Sequence, residues 1–136
     1  MSISLPRTLE RTYKVTEAEA IHFMGAQAPP ALSTPALLGW MEWTARECAG
    51  RLLQPDQDTV GVSALLKHLA PTPVGAQVRV VAKLMNVEGR LYSFEIEAFD
   101  EVEKIAEATH QRAVVLVARF ADRIKSKMKT LGQPGR

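Results

Sequence analysis

The stretch Ser33–Leu53, STPALLGWMEWTARECAGRLL, constrains the chain most. It reads as one long helix, and what lies on either side reads as strands able to wrap it. Thr34 followed by Pro35 marks a helix start, with a hydroxyl to cap free amides and a proline whose missing N–H costs nothing at the first helical position. At ~100° per residue, Leu38, Met41, Ala45, Ala49 and Leu52 share one face, while Trp40, Glu47 and Arg51 lie opposite. Glu42 falls inside the apolar stripe. An unpaired buried carboxylate is expensive, so a chain that places one there either satisfies it or uses it. Gly39 costs about 1 kcal/mol relative to alanine in a helix interior; a close backbone or ligand approach is one reason to tolerate it.

The flanking segments alternate. Residues 7–15 predict a first strand; residues 16–32 predict a short helix (TEAEAIHFMG) and a proline-interrupted connection, with His22 as a solvated side chain. After the polar turn QPDQD, four strands follow at hairpin spacing: 60–70, 77–85, 91–99 and 104–119. The first would set Val60, Val62, Ala64, Leu66, His68 and Ala70 on one face, the second Val78, Val80, Ala82 and Leu84, the third Tyr92, Phe94, Ile96 and Ala98. The basic end, residues 121–136, predicts a short helix fraying into a disordered tail. The order is that of an α+β domain spanning 1–136: an antiparallel sheet with one helix on its concave face.

Composition narrows the function classes. A net charge of +2 is too small to indicate a nucleic acid or membrane-surface partner, and the basic tail lacks interleaved aromatics. Cys48 is the lone cysteine, so no intrachain disulfide can form, in keeping with a reducing compartment. No stretch has signal-peptide character or the ~20 apolar residues of a membrane span; the expectation is a cytoplasmic protein.

Two polar residues occupy core faces: Glu42 on the helix and His68 on the strand after it. With the helix packed on the sheet, both point into one seam, and Thr34 falls on roughly the same side. A hydroxyl, a carboxylate and an imidazole facing one seam are parts for acyl transfer. Each also has an ordinary structural use: Glu42 could pair with Arg46 one turn on, His68 could be a satisfied core histidine, and Thr34 could only cap. His110 and Arg112 form a rival pair on the apolar side of the last strand, where a buried arginine needs an anionic partner. Gly61 hints at a backbone approach to a ligand. GxSxG elbows, Walker motifs and metal-ligand spacings are missing, so neither a metal nor a cofactor is expected.

GWMEW in the helix, VGVSALLKHLAPTPVG, the VEGR hairpin and THQRAVV, in that order, resemble the hotdog-fold thioesterases, and within them the fluoroacetyl-CoA thioesterase branch. The likeness runs from about Pro30 to Phe120. It implies a curved antiparallel sheet around a long helix, a homodimer or higher homo-oligomer with the acyl-CoA site near the subunit boundary, and hydrolysis of a short or medium acyl-CoA. It places the family's catalytic threonine, glutamate and histidine on Thr34, Glu42 and His68, and pocket-lining residues on Gly61 and Arg112. A non-catalytic acyl-CoA or small-ligand binding module is the alternative on the same fold. In the fluoroacetyl-specific enzyme, aromatic residues before the helix cover the acyl group. Here the stretch is GAQAPPAL, residues 25–32, with no aromatic; that departure implies a broader or different short acyl-CoA substrate.

Overall fold

Alternating strands with one dry face must be covered on that face, and the long helix supplies the cover. The computed structural model describes residues 4–133. In chain order the elements are β1 (Arg7–Lys14), a 3-10 turn (Glu17–Glu19), β2 (Ala20–Ile21), β3 (Ala31–Leu32), α1 (Thr34–Gly50), β4 (Gln57–His68), β5 (Gln77–Glu88), β6 (Leu91–Phe99), β7 (Lys104–Leu116) and α2 (Val117–Thr130). The main sheet has the order β1-β5-β6-β7-β4, every pair antiparallel, and β2–β3 form a small separate ribbon. β4 therefore ends the sheet, with its outer edge bare.

The expected faces of β5 and β6 are buried: Val78, Val80, Ala82 and Leu84, then Tyr92, Phe94, Ile96 and Ala98. They pack on Leu37, Met41, Ala45 and Ala49 of α1, all wholly buried. Full burial of a leucine or methionine side chain contributes about 1.5–3 kcal/mol. The stripe differs from expectation at its start, where Leu37 rather than Leu38 is buried, and it gains Thr44 and Cys48. Trp40 is not opposite the core. It is half-buried and stacked on Tyr13 of β1, ring centroids 5.0 Å apart and 8° from parallel. The sheet curls round the helix far enough to touch it with β1, β4, β5 and β6. No neighbouring backbone or side chain among the described residues accounts for Gly39, since a Cβ there would meet nothing within 4 Å.

Three expected elements change. The helix expected after β1 is only the 3-10 turn, braced by Thr16 and Glu19 in a reciprocal cap. The last strand stops at Leu116, and residues from Val117 belong to α2. In β4 the predicted face is right only in its second half. The ladder pairs Thr59 with Val114 and Gly61 with Arg112, then shifts register between Gly61 and Ser63, and continues with Ala64 on His110 and His68 on Ala106. Val62 is the extra residue of a β-bulge. Odd positions face inward before it and even positions after it, so Val60 and Val62 leave the inner face. The tail expected to be disordered reaches into residues 134–136, which lie outside the described residues.

Candidate active site

Serine and threonine at adjacent positions compete for the helix cap. Here Ser33 takes it: Ser33 Oγ accepts from Ala36 N–H at 3.2 Å, and Thr34 becomes the first helical residue. The capping role expected of Thr34 is thus filled by its neighbour, and its hydroxyl is free. It sits 2.8 Å from His68 Nδ1. His68 Nε2 is buried and has no hydrogen-bond partner. Burial pushes the His68 pKa below its ordinary value, with the nearby Ala70 backbone opposing it in part, so the imidazole is neutral at pH 7. A neutral ring with one nitrogen on a hydroxyl and the other unused is equipped to take or give a proton.

The pair opens onto an apolar cleft of about 830 Å³ lined by Ile21, Phe23, Met24, Ala28, Pro29 and Leu69. Phe23, 79% exposed, stands at this cleft from just upstream of the aromatic-free stretch 25–32. Sequence alone gave it no role, because nothing in a loop's composition shows which cleft it borders.

Glu42 lies elsewhere. Eight residues separate it from Thr34, about 12 Å along a helix axis. It is not deeply buried: its side chain is 43% exposed. Its expected partner, Arg46, instead makes a two-pronged pair with Asp58, at 3.0 and 2.7 Å, which holds the Asp58 carboxyl below its usual pKa. Glu42 Oε2 receives Arg112 Nη1 at 3.3 Å and lies 3.9 Å from His110 Nε2. Arg112 is buried and spends its other donors on Thr59, Nε on Oγ1 at 2.8 Å and Nη2 on the carbonyl at 2.9 Å. His110 Nδ1 donates to Ser63 O at 2.8 Å, which leaves Nε2 to accept from Arg112 Nη1 at 3.2 Å. Burial first, and Arg112 besides, lower the His110 pKa and keep it neutral. The rival pair and Glu42 thus form one network. Thr59, which anchors it, carried no sequence signal.

Gly61 lets the Glu42 carboxylate lie against the strand. A Cβ would collide with Glu42 Oε2 and sit 3.3 Å from His110 Cε1. The five expected site residues therefore form two groups within one chain, Thr34 with His68, and Glu42 with Gly61 and Arg112. No group of three or more His, Cys, Asp or Glu suited to a metal ion occurs among the described residues.

Residues 15–118 match the family described as fluoroacetyl-CoA-specific thioesterase. The fluoroacetyl-CoA thioesterase of Streptantibioticus cattleyicolor is 34% identical over 102 residues, 75% of this chain and 73% of that protein. The chain belongs to this family. Membership makes it a thioester hydrolase. A crystal structure of the fluoroacetyl-CoA thioesterase FlK superposes with a TM-score of 0.84 at 27% identity, covering 93% of this chain and 98% of that one. A hot-dog-like protein from Thermanaerovibrio acidaminovorans superposes with a TM-score of 0.83 at 23% identity, over 96% and 93% of the two chains. The hotdog fold expected from the sequence is thus the fold observed.

Proposed function

We propose that this thioesterase-family member hydrolyses a short or medium acyl-CoA to the free acid and CoA, as a homodimer, with Thr34, Glu42 and His68 as its catalytic residues. The observation that carries the reading is the 2.8 Å Thr34–His68 pair with its partnerless buried Nε2, set at the mouth of an apolar cleft. The acyl group occupies that cleft. Glu42 either draws a proton from the attacking water, or attacks the thioester carbonyl itself to form an acyl anhydride that water then hydrolyses, freeing the carboxylate. The C–S bond breaks, and His68 moves a proton to the departing thiolate, so that acid and free thiol leave. Thr34 orients the imidazole. Gly61 and Arg112 border the carboxylate on the substrate side, where backbone amides near Gly61 polarise the carbonyl.

Dimerisation supplies what one chain leaves apart. The outer edge of β4 is twelve residues of unpaired backbone, with Val62 54% and Leu65 65% exposed. A long apolar edge is a template for another strand, and the commonest closed arrangement is two-fold. Antiparallel β4–β4 pairing puts the middle of the strand, where Gly61 and Glu42 meet, on the subunit boundary. Glu42 of one subunit then serves the Thr34–His68 pair of the other.

Thiol release from a panel of acyl-CoAs tests the activity. A mixture of Glu42→Gln and His68→Ala proteins tests the assembly. Each alone is inactive, and random assortment returns about one quarter of the native rate, because half the dimers carry one intact site of two. A mixture as dead as its components would place Glu42 and His68 in the same subunit's site. CoA-ester binding with no thiol released across the panel would favour the binding-module reading for this chain.

A further inference from the structure

Helix α2 is out of keeping with the rest of the chain. It follows β7 directly, touches little beyond that strand, and buries none of its residues. Yet its sequence is sharply two-faced. Val117, Phe120, Ala121, Ile124 and Met128 recur at three- and four-residue steps, and Leu131 continues the row. Arg119, Arg123, Lys125, Lys127 and Lys129 take the remaining positions against a single acid, Asp122. Val117, Phe120, Ile124 and Leu131 are exposed. A helix with such a stripe is built to lie on something.

A second surface in the same chain lacks a cover. The Thr34–His68 cleft is open, and Phe23, Met24 and Leu69 on its walls are largely exposed. Helix and cleft stand at opposite ends of β4. The helix begins where Val117 N–H donates to Asp56 O, beside Gln57, which pairs with Leu116; the cleft ends at His68. In one chain they cannot be neighbours, since twelve strand residues extend about 40 Å. Antiparallel two-fold pairing of β4 reverses the situation. It sets Gln57 of one strand beside the partner's His68, and so delivers the start of each α2 to the other subunit's cleft. Fourteen helical residues extend about 21 Å, enough to cross it. Charge agrees: the turn leading into the cleft wall carries Glu17 and Glu19, and α2 is strongly cationic.

We propose that the apolar face of α2 seats on the partner subunit's Thr34–His68 cleft and closes it over the acyl chain. The proposal rests on the β4-paired dimer above and adds what that reading leaves open, the wall of the acyl pocket opposite Phe23. The cationic face then lines the entrance, toward the phosphates of CoA.

A thiol introduced at the cleft by Met24→Cys reports the closure, because the native Cys48 is buried. In the otherwise native dimer alkylation is slow. With Phe120→Asp and Ile124→Asp added it speeds at least tenfold, and KM for the longer acyl-CoAs rises severalfold more than for acetyl-CoA. The deciding arm mixes the Met24→Cys protein, its own α2 intact, with an excess of protein carrying only the two α2 substitutions. Loss of protection in this mixture means the cover comes in trans, as proposed. Retained protection means α2 folds back on its own subunit, and equal reactivity in all samples means α2 covers nothing there; either overturns the proposal. Sedimentation of the native protein separates the failures, since a monomer sinks the dimer reading, while a dimer with an unprotected thiol sinks only the role of α2. Binding to phosphatidylserine vesicles with unchanged thiol reactivity would give α2 to a lipid surface instead.

Discussion

The two polar groups along α1 solve the same problem in opposite ways. At mid-helix, Arg112, His110, Thr59 and Glu42 leave little unspent: the guanidinium reaches Thr59 twice, Glu42 and His110 once each, and both imidazole nitrogens are engaged. At the first turn, Thr34 and His68 share one contact and leave Nε2 buried and idle. A satisfied network is rigid and holds a carboxylate in place; an unfinished one keeps a valence for substrate. Under the proposed function the first group holds the Glu42 carboxylate and the second moves protons.

The largest test of that division is His68→Ala or Glu42→Gln. Each is expected to lower kcat/KM by about 10²–10⁴-fold while moving the urea midpoint little, because one removes an unpartnered nitrogen and the other keeps an acceptor for Arg112. Arg112→Lys should show the reverse emphasis. The ammonium cannot reproduce the fork held by Thr59, so unfolding free energy falls by about 1.5–3 kcal/mol, as for lost hydrogen bonds to a charged group; a melt unchanged from native would show that the network is not structural. Gly61→Ala should push Glu42 aside at its flexible end, costing about tenfold in rate and little stability. A neighbouring pair gives the smallest and sharpest contrast. Ser33→Ala loses the cap, about 1 kcal/mol of stability, with activity kept, whereas Thr34→Ala keeps the cap and loses rate. If both behave alike, Thr34 has no role beyond the helix start.

Acid should act on both groups through the same physics. His68 and His110 are each held below the ordinary imidazole pKa, chiefly by burial. The folded protein therefore binds fewer protons than the unfolded chain, and stability falls as pH drops below about 6.5 toward the lowered folded values. The active form has neutral His68, so the acid limb of kcat/KM is expected below pH 6.5. A limb at or above that value would contradict the depressed His68.

Most of the sheet was legible because β5 and β6 are buried on one face throughout, and period-two alternation then carries the whole message. The errors have local causes. Trp40 was misplaced because the sheet clasps more of the helix than one stripe covers. The boundary at Leu116 was missed because VVLVARF suits a strand or a helix equally. Ser33 and Thr34 are both good caps, and only backbone position decides between them. Glu42 stands out in the sequence as a carboxylate in an apolar stripe, but its partner does not, because Arg112 is seventy residues away and Arg46 is drawn off by Asp58.

The extra residue at Val62 has a genetic corollary. A strand reads side chains in twos, so β4 carries a phase, and the bulge inverts it once between Gly61 and His68. An in-frame loss of the Val62 codon would remove the inversion. Gly61 would stay beneath Glu42, Ser63 would follow it on the outer face, and Ala64, Leu66 and His68 would keep their β7 partners and the inner face, so the histidine would still meet Thr34. A survey of single-codon deletions through this strand should find that one tolerated in both expression and turnover.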